Sequence, residues 1–178
     1  MIYKSIYQSP IGELIIASDD SFLIAILFND DEKFFNNLND EIIYEDNKII
    51  KDTKKWLDSY FNKKKPKVNI PIKFYGSLFQ KEVWELLCKI PYGKLVSYGD
   101  IAKMIAKKRG IKKMAAQAIG GAVGKNPISI IVPCHRVIGN NGALVGYGGG
   151  LDKKNYLLNH EGIEFTDRID FDKYHFEL

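Results

Sequence analysis

Hydrophobic positions at the start of the chain follow the alternating and clustered patterns of strands. Residues 1–9 and 12–18 set β-branched and apolar side chains on either side of a turn at Pro10, and residues 22–28 continue the pattern. Three strands in a meander are predicted. The period then changes to that of a helix over residues 47–61, with Ile49, Ile50, Thr53, Trp56, Leu57 and Tyr60 on its inner face. The run Lys63-Lys64-Lys65-Pro66-Lys67 predicts an exposed connector, as compatible with a solvated loop as with a phosphate contact. Residues 1–76 show no constellation of chemistry.

Beyond the connector the pattern is helical. Ser77 and Gln80 have capping-box spacing, and Phe79, Val83, Trp84, Leu87 and Ile90 follow as a buried face. After Pro91-Tyr92-Gly93, a second box of Ser97 and Asp100 opens a helix from Tyr98 to about Lys107. The basic turn Lys107-Lys108-Arg109-Gly110-Ile111-Lys112-Lys113 leads into a third helix, from about Met114 to Gly124. Helix, cationic turn and helix form the outline of a DNA-binding unit.

The third helix is unusually slim. Ala116, Gly120 and Gly124 recur every four residues, with Ala115, Ala118, Gly121 and Ala122 among the rest. Glycine costs helix stability relative to alanine, so these residues imply close approach of another body to the backbone. Either a packed helix or a nucleic-acid groove fits. A full helix is about 10–12 Å across and a minor groove about 6 Å wide, and small side chains would narrow that difference.

Composition limits the classes. The chain has 178 residues and no apolar run of membrane-spanning length, enough for one domain or two small ones. Lys4 is not followed by an uninterrupted apolar segment and a small-residue cleavage site, so a cytoplasmic rather than secreted protein is expected. Two cysteines cannot make a disulfide framework, and a reducing compartment suits them. Residues 77–165 hold 13 Lys and Arg against 6 Asp and Glu, a balance of +7 that exceeds the +4 of the whole chain. A polyanionic partner is implied.

The chemistry centres on Ile131-Val132-Pro133-Cys134-His135-Arg136-Val137. A thiol beside an imidazole and a guanidinium has what thiolate formation requires. Pro133 fixes the chain before Cys134, while Gly139 and Asn140-Asn141-Gly142 turn it afterwards, which predicts a thiol at the end of a buried strand. Cys88 has no adjacent acid or base in its helix and reads as structural.

These segments occur in a fixed order: Asn126-Pro127, Pro133-Cys134-His135-Arg136, Gly146-Tyr147-Gly148-Gly149-Gly150, Lys153-Lys154, and Asn159-His160-Glu161-Gly162. In this the sequence closely resembles the O6-alkylguanine-DNA alkyltransferases, from about Ser77 to Gly162, with a looser likeness before. The resemblance implies an α/β chain: a small ribonuclease-H-like domain over residues 1–76, a mostly helical, winged helix-turn-helix-like domain over residues 77–165, and a tail over residues 166–178.

The resemblance also implies roles. Cys134 would be nucleophile and alkyl acceptor, His135 the base acting through a bound water, and Glu161 the group that sets the imidazole tautomer. Tyr98 would donate to N3 of the purine, with the Gly148 amide and Lys154 near O6. Carbonyls of Cys134 and Val137 would accept from the exocyclic amine, Tyr147 would wall the pocket, and Asn126 would tie the third helix to the active loop. Ala116, Gly120 and Gly121 would enter the minor groove of double-stranded DNA carrying O6-alkylguanine, or less well O4-alkylthymine, with Lys112 and Lys113 on phosphates. Where the family has an arginine to fill the space of the extruded base, this sequence has Gln117. Gln117 and the turn residue Arg109 both remain candidates, and Arg136 is either structural or phosphate-facing.

A thioether has no ordinary hydrolytic route back, so a single-turnover, cofactor-free monomer is expected. Some relatives bind zinc in the first domain through Cys and His; residues 1–76 contain neither, so no metal is expected. Two other classes compete. A non-catalytic alkyltransferase-like binder lacks the reactive cysteine that Cys134 supplies, and a cysteine hydrolase has no use for a basic helix-turn-helix.

Overall fold

The computed structural model describes residues 1–144, 146–165 and 168–178. The chain forms two compact units, Met1–Tyr75 with Pro127–Ser129, and Gly76–Asn126 with Ile130–Leu178.

In the first unit, β1 (Ile2–Ser9) and β2 (Gly12–Ser18) form a hairpin closed at Ser9 and Gly12, followed by antiparallel β3 (Leu23–Leu27). Two elements went unread in the sequence: α1 (Glu32–Leu38) and the short β4 (Ile42–Ile43), which pairs parallel to β1 and gives the order β3-β2-β1-β4. Asp31 caps α1 by accepting from the Phe34 amide. Helix α2 (Lys48–Phe61) is capped by Asn47 and packs on β1, β2 and β3, with Ile50, Thr53, Trp56, Leu57 and Tyr60 buried and Ile49 half-buried. Phe35 of α1 joins Ile15 and Ala17, while Leu14 and Ile16 are buried as well. With both faces covered, β2 loses the alternation of a half-exposed strand. The Pro127 carbonyl and Ser129 amide bond Ile26 at 2.9 and 3.1 Å, adding residues 127–129 to the β3 edge.

The second unit begins with α3 (Leu78–Leu87), whose Ser77–Gln80 capping box is formed. The two-residue β5 (Val96–Ser97) leads into α4 (Tyr98–Arg109) through the Ser97–Asp100 box. Gly110, at φ 65°, ends α4, so Lys107, Lys108 and Arg109 belong to the last helical turn, where cations favour the carboxyl end of the dipole. Helix α5 (Ala116–Gly124) packs against α3 and α4. Then come a 3-10 turn at Cys134–Arg136, β6 (Val137–Ile138) parallel to β5, α6 (Leu151–His160) and α7 (Phe171–Tyr174).

The apolar run before Cys134 is not a strand. Ile130 takes φ 73°, a left-handed conformation costly for a β-branched residue, and the chain turns over residues 129–132. Only Ile128 makes an isolated bridge, to Ile26. The thiol therefore opens a 3-10 turn ahead of a strand instead of ending one.

Nor are the last residues a loose tail, within those described. Ile169 and Tyr174 are buried with Leu95, Ile138, Leu158 and Ile163 in one core cluster.

Candidate active site and nucleic-acid interface

Cys134 lies at the start of its 3-10 turn with 6% of its surface exposed. Its amide bonds the Val132 carbonyl at 2.8 Å, and Asn126 Nδ2 donates to the same carbonyl at 2.9 Å. That bond ties the chain two residues beyond α5 to the turn that carries Cys134. Burial pushes the thiol pKa up, against the pull of Asn126, Lys154 and Tyr147, which face the sulfur. At rest the sulfur is a thiol and needs a base.

The next residue, His135, carries an imidazole that can act as one. Its Nε2 lies 2.5 Å from Glu161 Oε2, and both residues are buried. Burial holds Glu161 back from ionising, but His135 and Arg136 overcome this and put its pKa well below the carboxylate range. An ionised carboxylate can only accept, so Nε2 carries the proton and Nδ1 keeps a lone pair. Nδ1 is buried with no hydrogen-bond partner among the described residues. Burial lowers the His135 pKa against the pull of Glu161, so the ring is neutral near pH 7 and ready to accept a proton.

Arg136 is the counter-ion of this pair. Its Nε and Nη2 donate to Glu161 at 2.7 and 3.1 Å, Nη1 donates to the Ile90 carbonyl at 2.7 Å, and the residue is only 8% exposed. Of the two expectations for Arg136 the structure favours the structural one: Nε, Nη1 and Nη2 each bond inside the protein, and the residue is buried. The Gly93 amide adds a bond to Glu161 Oε1 at 3.0 Å. Neither Ile90 nor Gly93 was picked out as part of the site, because a backbone group leaves no signature in side-chain patterns.

Lys154 is fully buried on α6, and its Nζ donates to the Val137 carbonyl at 2.6 Å and reaches Gly146 O at 3.5 Å. Burial lowers its pKa to about 8, with Cys134 acting to raise it. The ammonium thus already occupies one lone pair of the Val137 carbonyl expected to read the exocyclic amine. Tyr98, first residue of α4, has its pKa pushed up to about 12 by burial and by Cys134, so it stays a phenol able to donate. Gly148 is exposed in the loop before α6, where an added Cβ would lie 3.7 Å from the Gly124 carbonyl.

Helix α5 presents one bare face. Ile119, Ala122 and Val123 are buried, and Trp84 Nε1 donates to the Ala122 carbonyl at 2.8 Å. Ala116, Gln117, Gly121 and Gly124 are exposed. A Cβ added at Gly120, Gly121 or Gly124 would meet nothing within 4 Å. Tight internal packing therefore does not explain these glycines. Lys112 and Lys113 are exposed before the helix, whereas Arg109 is bound to Glu82 of α3 at 3.1 and 3.3 Å and lies over the Phe79 ring. Cys88 is exposed at the end of α3, yet crowding of its sulfur and Glu85 raise its pKa to about 11.

A buried thiol next in sequence to an imidazole–carboxylate pair, in a unit whose slim helix is bare and flanked by cations, fits the class of nucleic-acid-binding proteins with a reactive cysteine. The chain belongs to the 6-O-methylguanine DNA methyltransferase family. Residues 78–163 match the family's DNA binding domain and residues 2–74 its ribonuclease-like domain. The methylated-DNA--protein-cysteine methyltransferase of Haemophilus influenzae is 37% identical over 94% of this chain and 90% of its own. That of Methanosarcina mazei is 40% identical over 90% and 97%. Among solved structures, Mycobacterium tuberculosis OGT in complex with DNA is similar, with a TM-score of 0.76 and 36% identity over 89% of this chain and 92% of that one.

Proposed function

We propose that this protein repairs DNA by moving the alkyl group of O6-alkylguanine directly to Cys134, once per molecule, as a cofactor-free monomer of the cytoplasm. The observation that carries this reading is the buried Cys134 beside the neutral His135 held by ionised Glu161. The methyltransferase names of relatives 37% and 40% identical support it. The bare face of α5 fits a minor groove, and the target base, out of reach of an enclosed thiol while stacked, is rotated out of the duplex.

His135 Nδ1 takes the thiol proton, directly or through a water, and the cation of Lys154 favours the thiolate so formed. The sulfur attacks the alkyl carbon. The S–C bond forms as the C–O6 bond breaks, and its electron pair leaves with the guanine. Tyr98 donates to the departing base, leaving a phenolate opposite the imidazolium of His135; solvent returns a proton to Tyr98 and takes one from His135, so the proton lost by sulfur is in net the one gained by guanine.

Intact mass after mixing with a duplex carrying O6-methylguanine tests the reading. One methyl replaces one hydrogen per protein, and peptide mapping finds it on Cys134. Methyl on Cys88, or product beyond one equivalent, excludes this mechanism.

A further inference from the structure

The match to the family's DNA binding domain ends at residue 163, yet the chain continues and packs back on the active unit. Leu95 N donates to the Tyr174 carbonyl at 2.9 Å and Phe176 N to the Leu95 carbonyl at 2.8 Å, so His175 pairs parallel with Leu95. Val96 and Ser97 pair in turn with Val137 and Ile138, just after the Cys134 turn. The carboxyl end is thus joined by a single bridge at Leu95 to the chain entering the two-stranded sheet that frames the site. It is anchored elsewhere too. Ile169 N donates to the Gly142 carbonyl at 3.3 Å, and a Cβ at Gly142 would run into the Ile169 backbone. Tyr174 Oη accepts from the Glu164 amide at 3.0 Å.

The remaining anchor is a side-chain hydrogen bond. His175 Nε2 lies 2.9 Å from Asp100 Oδ2, the same oxygen that accepts from the Ser97 amide at 2.9 Å in the capping box of α4. The Phe171 ring holds the imidazole at 4.5 Å between centroids. Ser97 directly precedes Tyr98. Whatever fixes Asp100 fixes how the chain enters α4, and hence where the phenol points.

We propose that residues 168–178 are a strap holding both sides of the alkyl-transfer site, the 139–144 loop through Ile169 and the start of α4 through His175, and that His175 is a positioning residue for Tyr98. The proposal rests on the reading of Tyr98 as the donor in alkyl transfer. His175 touches no reacting atom, and it acts by giving the capping carboxylate a second partner.

The experiment is single-turnover transfer from an O6-methylguanine duplex, with duplex affinity measured separately. His175→Phe keeps the ring beside Phe171 but removes the donor, and His175→Gln restores a donor. His175→Phe is expected to slow transfer at saturating duplex about tenfold, part of the hundredfold that an ångström of misplacement costs, with affinity and melting temperature unchanged. His175→Gln recovers most of the rate. Tyr98→Phe slows the unaltered chain by about a hundredfold, as loss of a general acid does, but slows His175→Phe far less. Wild-type rates in His175→Phe, or fully multiplicative effects of the two substitutions, overturn the proposal. Absence of transfer by the unaltered chain removes the alkyl-transfer reading instead, and amide exchange then decides the strap. Faster exchange at Ser97 and Asp100 in His175→Phe supports it, and unchanged exchange overturns it.

Discussion

Glu161 and Arg136 meet side-on, two guanidinium nitrogens at 2.7 and 3.1 Å from the two carboxylate oxygens, while Oε2 also lies 2.5 Å from His135 Nε2. The Glu161 side chain is fully enclosed and that of Arg136 is 10% exposed. Glu161→Gln keeps the shape but strands a buried cation, and breaking such a pair costs about 3–5 kcal/mol. Urea unfolding is expected to show this loss, together with slower transfer because the imidazole tautomer is no longer set. Acid reads the same cluster. The folded pKa of Glu161 lies below its unfolded value, so its contribution is complete above the carboxylate range and is lost as pH falls through that range. His135 is also lowered, so below its ordinary 6.5 the unfolded chain binds a proton that the folded one refuses. Both effects make stability fall with acid from about pH 6.5 downward, and Glu161→Gln removes the carboxylate part.

Lys154 sets the alkaline side. With a pKa of about 8, it loses its charge above that pH, and with it the support for the Cys134 thiolate. Single-turnover rates are expected to fall above about pH 8, and Lys154→Met is slower with no such limb. Stability moves the other way. The folded pKa lies below the ordinary 10.5, so the unfolded chain holds the extra proton between about 8 and 10.5 and stability rises across that window.

The exposed cations before α5 are expected to contribute affinity without sequence preference. Each phosphate contact contributes about 0.9 to the slope of log affinity against log salt. Lys112→Gln and Lys113→Gln are each expected to flatten the slope by that amount. Arg109→Gln flattens it less, since Glu82 already holds the guanidinium. An unchanged slope in the lysine variants would turn this edge of the unit away from DNA.

Gly121→Leu separates groove entry from packing. Nothing lies within 4 Å of a Cβ there, and the change improves helix propensity by several tenths of a kcal/mol or more, so melting temperature is expected to hold or rise. Repair of duplex DNA slows, because the leucine meets the groove walls. Transfer from free O6-benzylguanine needs no docking and continues at the parental rate.

Much of the second unit is legible in the sequence because its signals are local. Ser77–Gln80 and Ser97–Asp100 name their own helix starts, and the Pro-Cys-His-Arg string names the site. What escaped is non-local or made of backbone. Helix α1 is short, with Asp31 as cap and Phe34, Phe35 and Leu38 at helical spacing, a signal present but masked by the charged residues around it. The strand expected before Cys134 failed because apolar content alone does not distinguish a strand from a buried turn, and Ile130 adopts a conformation its side chain disfavours. The carboxyl end carries no local motif, and its pairing with Leu95 joins residues far apart in the chain.

The depth of Cys134 has a consequence for the protein between encounters. If Cys134 accepts alkyl groups once, as proposed, a stray alkyl halide that reached it would remove the molecule from service as surely as a true lesion, since a thioether does not return to a thiol by hydrolysis. Kept as a thiol by burial and only 6% exposed, it offers such reagents neither a thiolate nor an open approach, and peroxide, which also attacks thiolates, is held off in the same way. The enclosure that makes the nucleophile hard to ionise is also what gives the idle protein its shelf life.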